Sequence, residues 1–285
     1  MEKSSVVEVK DPIENKTYKY YLDRKLKKSL DQKVRPSLSK TQDEDYVLLI
    51  DGRERTGKST FGMQIGKYID PTLSLDRVCF SPDEFKQAIL KAKKKQCVIY
   101  DEAYRGLGSA GALTEVNRIL KGMMMEMGQK NLFVIVILPT FYVLEKYVAL
   151  FRARGLLHVF KSRGRKGYWR FFNTKKKQML YLNPIGKRYY TYFHVRTGFK
   201  GRFYSKYVID EQEYRDKKDK SFKQGYKLPR QEKFKEQRDK LLYSLYVECR
   251  LSLSQLSDMC NKYKIKLNKT ILSEIVKKQE YKEDN

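Results

Sequence analysis

Gly52, Gly57, Lys58 and Ser59 stand in the spacing G-x-x-x-x-G-K-[ST], inside YVLLIDGRERTGKST at 46–60. Glycine lets a backbone fold closely around an anion, and successive N–H groups in such a turn form a nest for oxygens. Lys58 is then placed to reach the β- and γ-phosphates of a nucleoside triphosphate, and the Ser59 hydroxyl to ligate Mg²⁺. The candidate binding loop is Gly52, Arg53, Glu54, Arg55, Thr56, Gly57, Lys58, Ser59 and Thr60, and the implied cofactors are ATP and Mg²⁺. Arg55 holds a mid-loop position where glycine is common; it either adds a charge to the phosphates or points to solvent.

A second constellation lies about 40 residues on, in Cys97-Val98-Ile99-Tyr100-Asp101-Glu102. A buried apolar run that ends in two acids delivers the first beside a metal and the second beside the attacking water. Asp101 is the candidate metal-positioning carboxylate and Glu102 the candidate general base. Alone, this pattern is only a strand ending in capping acids; after a phosphate loop it reads as the other half of a hydrolytic site. Thr140, at the end of the apolar run 131–138, is the candidate sensor of the γ-phosphate, the alternative being a plain strand-ending turn. Arg152 and Arg154 are the candidate arginine fingers.

These side chains need strands to carry them and helices to cover the strands. Val47-Leu48-Leu49-Ile50 reads as a buried strand feeding the loop, and 58–69 as a helix whose positive end faces the same anion. Arg77–Phe80 reads as a short strand. Ser81-Pro82-Asp83-Glu84 opens a further helix with a cap, a proline and first-turn acids. Leu113 to Gln129 repeats Leu and Met at helical spacing, and Phe141–Phe151 reads as a third apolar helix. The expected fold class is α/β, with a parallel central sheet, then a small antiparallel β region and a C-terminal helical module.

From about 46 to 160, GRERTGKS, CVIYDEA and the strand ending LPT resemble the additional-strand, catalytic-glutamate branch of P-loop ATPases. Within that branch the short motif spacing looks most like the FtsK–HerA group, viral genome-packaging motors and Zot-like ATPases. The resemblance implies Mg²⁺-dependent ATP hydrolysis and a sheet in which the strand ending at Thr140 lies between the two that carry the motifs. It covers about 40% of the chain.

The formal charge of the 285 residues is +27, and its placement is uneven. Residues 1–160 hold 28 Lys/Arg against 20 Asp/Glu, a net +8; residues 161–285 hold 33 against 14, a net +19. Such an excess implies a polyanionic partner, with double-stranded DNA favoured over an anionic membrane. Lys161, Arg163, Arg165, Lys166, Trp169 and Arg170 form the densest basic-aromatic segment and are the candidate nucleic-acid contacts. Four cysteines without a C-x-x-C pair, and only two histidines, exclude a zinc constellation. With no signal peptide and no apolar run of about 18–20 residues, no transmembrane segment is expected and a cytoplasmic protein is, in the host cytoplasm if viral.

The domains expected are an N-terminal arm at 1–45, with a strand at Val6–Val9 and a helix from Tyr18 to Val34, and an ATPase core at 46–160. A basic-aromatic β region at 161–210, a charged linker at 211–240 and a helical, helix-turn-helix-like module at 241–285 follow. The reading is ATP hydrolysis coupled to DNA translocation or genome packaging by a homo-oligomeric ring, with a capsid or membrane assembly partner conceivable. Its rivals are a Zot-like virion-assembly or secretion ATPase and an ATP-switched DNA-binding adaptor such as a helicase loader.

Overall fold

All six residues of strand β3 (Tyr46–Asp51) are buried, as expected of a strand covered on both faces. Its side chains alternate between two cores. Val47 and Leu49 join one with Phe85, Ile89, Leu144 and Leu180. Leu48 and Ile50 join the other with Phe61, Ile65, Trp169 and Tyr20. The computed structural model describes residues 5–39, 41–101, 117, 121–122, 130–225, 230–263, 265 and 267–283. The helix expected over Leu113–Gln129 therefore lies almost wholly outside the described residues, as does Glu102.

The chain forms two compact units, 1–225 and 226–285. In the first, the described strands of the central sheet run in the order β4 (Val78–Cys79), β5 (Cys97–Tyr100), β6 (Phe133–Leu138), β3, β7 (Ala153–Ser162), β8 (Arg165–Asn173), β9 (Phe199–Arg202). The pairings from β4 through β7 are parallel. Those joining β7 to β8 and β8 to β9 are antiparallel. Strand β6 thus lies between β3 and β5, as the sequence resemblance implies. The basic-aromatic segment extends this same sheet, because Leu156, Trp169 and Phe172 bury their side chains in the two cores of β3.

Helix α3 (Lys58–Ile69) follows the loop. Helix α4 (Pro82–Lys91) starts as expected, with the Ser81 side chain accepting from the Glu84 N–H. In the N-terminal arm, β1 (Val6–Lys10) pairs with β2 (Thr17–Tyr21) as a hairpin. The helix expected from Tyr18 therefore starts later, at α1 (Arg24–Ser29), where Asp23 caps it, and a π-helical turn (Leu30–Val34) leads on into the short α2 (Arg35–Ser37). Alternation explains the difference: Tyr18 and Tyr20 face the core while Thr17 and Lys19 face water. The hairpin is tied to α3 by a buried ion pair between Asp11 and Lys67. The helix expected over 141–151 is broken as well, into a 3₁₀ turn (Phe141–Val143) and a π-helical turn (Val148–Arg152).

Helices α5 (Thr174–Leu182) and α6 (Pro184–Tyr189) fill the connection from β8 to β9. Part of the expected linker forms α7 (Glu211–Gly225), and Tyr214 on this helix is buried. The second unit holds α8 (Arg230–Val247), α9 (Leu253–Lys262) and α10 (Lys269–Glu283) around Leu242, Leu256, Cys260, Leu272 and Ile275. A capping box between Ser252 and Gln255 starts α9. Among the described residues no helix is long and apolar enough to cross a membrane.

Candidate functional site

The loop between β3 and α3 has a shape that its sequence enforces. A Cβ on Gly52 (φ +141°) would fall 2.0 Å from the Val159 carbonyl oxygen, so only glycine lets the loop pass β7. Gly57 has φ +93°, and a Cβ there would press on the Phe203 ring at 3.1 Å. Phe203 in turn stacks on Phe61 of α3, with ring centroids 4.2 Å apart. The Thr56 hydroxyl donates to the Arg53 carbonyl at 2.8 Å, closing the turn. Arg53, Glu54 and Arg55 are exposed, and Arg55 takes φ +56°, a left-handed conformation that glycine adopts more easily.

Lys58 donates to the loop carbonyls of Gly52 and Arg53, the latter at 2.8 Å. Partial burial lowers the pKa of this ammonium, against the opposing pull of Asp51, Asp101 and Glu54. The tips of β3 and β5 stand about 10 Å apart across one intervening strand. The first turn of α3 spans that gap: the Ser59 hydroxyl donates to Asp101 Oδ1 at 3.1 Å. Asp101 is fully buried, and its N–H donates to the Cys79 carbonyl at 2.8 Å. Its other oxygen, Oδ2, accepts from the Tyr214 hydroxyl at 2.5 Å. Burial first, then the Asp101 charge, pushes the Tyr214 phenol far above its ordinary value, so it stays a neutral donor.

A hydroxyl and a carboxylate that meet at a phosphate loop fit Mg²⁺, which takes oxygen ligands, few of them from protein. Among the described residues no cluster of three His, Cys, Asp or Glu offers a competing metal site.

Asp51, the residue before Gly52, centres a second buried network. Its Oδ1 lies 2.9 Å from His158 Nδ1, and its Oδ2 accepts from the Phe141 N–H at 2.8 Å and from the Tyr192 hydroxyl. The His158 and Tyr192 rings stack at 3.7 Å. Thr140 enters here, its Oγ1 lying 3.1 Å from the Tyr192 hydroxyl. The candidate sensor is thus joined through Tyr192 to the carboxylate that opposes the lowering of the Lys58 pKa by burial. Burial and Asp51 push the Tyr192 phenol far upward.

The two arginines lie elsewhere. Arg152 pairs with Asp45, at the opposite end of β3 from the loop. Arg154 pairs with Glu44 at 2.7 Å, at that same end. Six residues of strand separate them from the loop by about 20 Å, so within one chain neither reaches its phosphate site.

The basic-aromatic segment divides. Lys161, Arg163, Arg165 and Lys166 are exposed at the tip of the β7–β8 hairpin. Because β7 runs parallel to β3 with Asp51 opposite His158, this tip projects from the same rim as the loop. Trp169, expected as a nucleic-acid contact, is wholly buried between Phe61 and Phe199, so its ring cannot stack on a base. Arg170 is half-buried and lies over the Phe160 and Phe193 rings. A cavity of about 450 Å³ adjoins the loop; Arg55, Thr56, Gly57 and Thr60 line one side, and Lys166, Phe203, Tyr204, Tyr207 and Arg215 the other. Sequence reasoning missed Asp51, His158, Tyr192, Phe203 and Tyr214; only Asp51, an acid at the tip of the loop strand, carried a local signal.

No family model matches the chain, and no curated protein matches it. Among solved structures, the chain is similar to the N-terminal domain of zonular occludens toxin from Neisseria meningitidis. The identity is 14% and the TM-score 0.33, over 60% of this chain and 98% of that one. It is also similar to the genome packaging NTPase B204 from Sulfolobus turreted icosahedral virus 2, in complex with AMP. There the identity is 13% and the TM-score 0.26, over 47% of this chain and 95% of that one.

Proposed function

We propose that the chain binds ATP with Mg²⁺ on the 52–60 loop, hydrolyses it, and uses the turnover to move double-stranded DNA as a ring-forming oligomer. The observation that carries the hydrolytic part is the 3.1 Å contact between Ser59, in the first turn of α3, and Asp101, at the tip of β5. Lys58 exchanges its loop carbonyls for the β- and γ-phosphate oxygens, a move of one flexible side chain. Ser59 and Asp101 would hold the metal, which would supply positive charge to offset that developing on the phosphoryl oxygens. Glu102, the next residue in sequence, orients and deprotonates the attacking water. The Thr140–Tyr192–Asp51 chain ties the state of the γ-phosphate to the base of the loop. The cavity beside Gly57 takes the base and ribose, with Tyr204 and Tyr207 offering aromatic faces.

The DNA part is supported by the +27 charge and by the four exposed cations of the β7–β8 hairpin on the loop's own rim. The arginine that completes the γ-phosphate site comes from a neighbouring copy of the chain. Phosphate release from Mg²⁺·ATP tests both parts. Hydrolysis should be stimulated by duplex DNA, abolished in Lys58→Ala and reduced at least 100-fold in Glu102→Gln with nucleotide binding retained. Reversing the charge of Lys161, Arg163 and Arg165 should remove the stimulation but leave the basal rate. Absence of hydrolysis by the wild type, with and without DNA, would refute the proposal. Stimulation by anionic vesicles but not by DNA would point to an assembly ATPase at a membrane.

A further inference from the structure

We propose that Tyr214 is a positioning residue that fixes Asp101 for the metal and couples helix α7 to the hydrolytic site, an inference that rests on the nucleotide reading above. Each oxygen of the fully buried Asp101 carboxylate has its own hydroxyl donor. Ser59 engages Oδ1 at 3.1 Å and Tyr214 engages Oδ2 at 2.5 Å. A carboxylate held by one oxygen alone can rotate about its final torsion; held by both, it presents Oδ1 in one orientation. Tyr214, whose hydroxyl also meets the Ser59 side chain, therefore removes the freedom of this carboxylate to turn away from Ser59.

Helix α7 is itself held against the strand that neighbours β5. The Lys217 ammonium, one turn beyond Tyr214, donates to the carbonyls of Leu75 at 2.9 Å and Val78 at 2.7 Å. The Tyr214 ring packs on Phe80, with centroids 5.5 Å apart, and on Tyr207, at 5.7 Å. Tyr207 also lines the cavity beside Gly57. One helix thus touches the wall of the nucleotide cavity and the metal-positioning carboxylate, and any shift of α7 reaches both.

The test uses Tyr214→Phe in the full chain, with Mn²⁺ as the probe and a non-hydrolysable ATP analogue present. Mn²⁺ affinity, read by electron paramagnetic resonance, should weaken at least fivefold. Analogue binding without metal should stay within twofold of wild type, and kcat should fall with little change in KM for ATP. Tyr20→Phe is the control: it removes a buried phenol that donates to the Gln64 carbonyl at 2.8 Å, and its Mn²⁺ affinity should equal that of wild type. If Tyr214→Phe does not fold, Lys217→Met must show the same weakened Mn²⁺ binding. A wild-type Mn²⁺ affinity in the tested α7 variant, or a raised kcat in Tyr214→Phe, overturns the role of Tyr214 and leaves the ATPase reading standing. A wild-type protein that binds no analogue overturns that reading itself.

Discussion

Asp51 and Asp101 show how much of this site depends on carboxylates taken fully out of water. A buried carboxylate is tolerable only when charged or polar donors surround it. Asp101 has Ser59, Tyr214 and the field of Lys58; Asp51 has His158, Tyr192 and the Phe141 N–H. Removing one donor withdraws a hydrogen bond to a charged group, worth about 1.5–3 kcal/mol. Tyr192→Phe should therefore lower the unfolding free energy by that amount in urea titrations, with no change in the m-value. A loss under about 0.5 kcal/mol would mean that the Tyr192–Asp51 bond contributes nothing. Lys58, Ser59 and Asp101 were legible from spacing alone, because loop and strand-tip chemistry is local in sequence. Tyr214 and Tyr192 were not. They reach their carboxylates across 113 and 141 residues, and no periodicity or motif records so distant a pairing.

At the scale of elements, continuous apolar runs identified β3, β5 and β6, since a strand buried on both faces has only one kind of residue to offer. In the arm, Tyr21, Leu22, Leu26 and Leu30 stand at helical spacing while Tyr18 and Tyr20 alternate with exposed residues; pairing with β1 decides for the strand as far as Tyr21. Helix α5 presents a different puzzle. Its Lys177 is fully buried, donating to the carbonyls of Ala149 and Leu150, and burial lowers its pKa to about 8. The sign follows from proton binding. Between the folded value and the unfolded value near 10.5, the unfolded chain binds more protons, so this lysine's contribution to stability rises with pH. The burial penalty is full below about pH 8 and vanishes above the unfolded pKa. From pH 7.5 to 9.5 the wild type should gain about 2 kcal/mol over Lys177→Met. A pH-independent difference between the two would contradict the buried cation.

For the molecule as a whole, the uneven charge suggests a basic C-terminal half separate from a more neutral phosphate-loop half. The structure instead builds part of that basic half into the sheet that carries the loop. Strands β8 and β9 extend the central sheet, Phe203 covers the loop glycine and the Tyr214 hydroxyl donates to Asp101. Composition could not show this, because alternating aromatic and basic residues suit a separate meander as well as the antiparallel flank of a parallel sheet. The account stands on two strand tips sharing one metal–triphosphate complex. Crystals grown with Mn²⁺ and a non-hydrolysable ATP analogue, with anomalous scattering used to locate the metal, test this most directly. One Mn²⁺ peak within ligating reach of Ser59 Oγ is expected, with Asp101 Oδ1 holding it directly or through one water. A nucleotide bound away from the 52–60 loop, or a metal peak remote from Ser59 and Asp101, would contradict it.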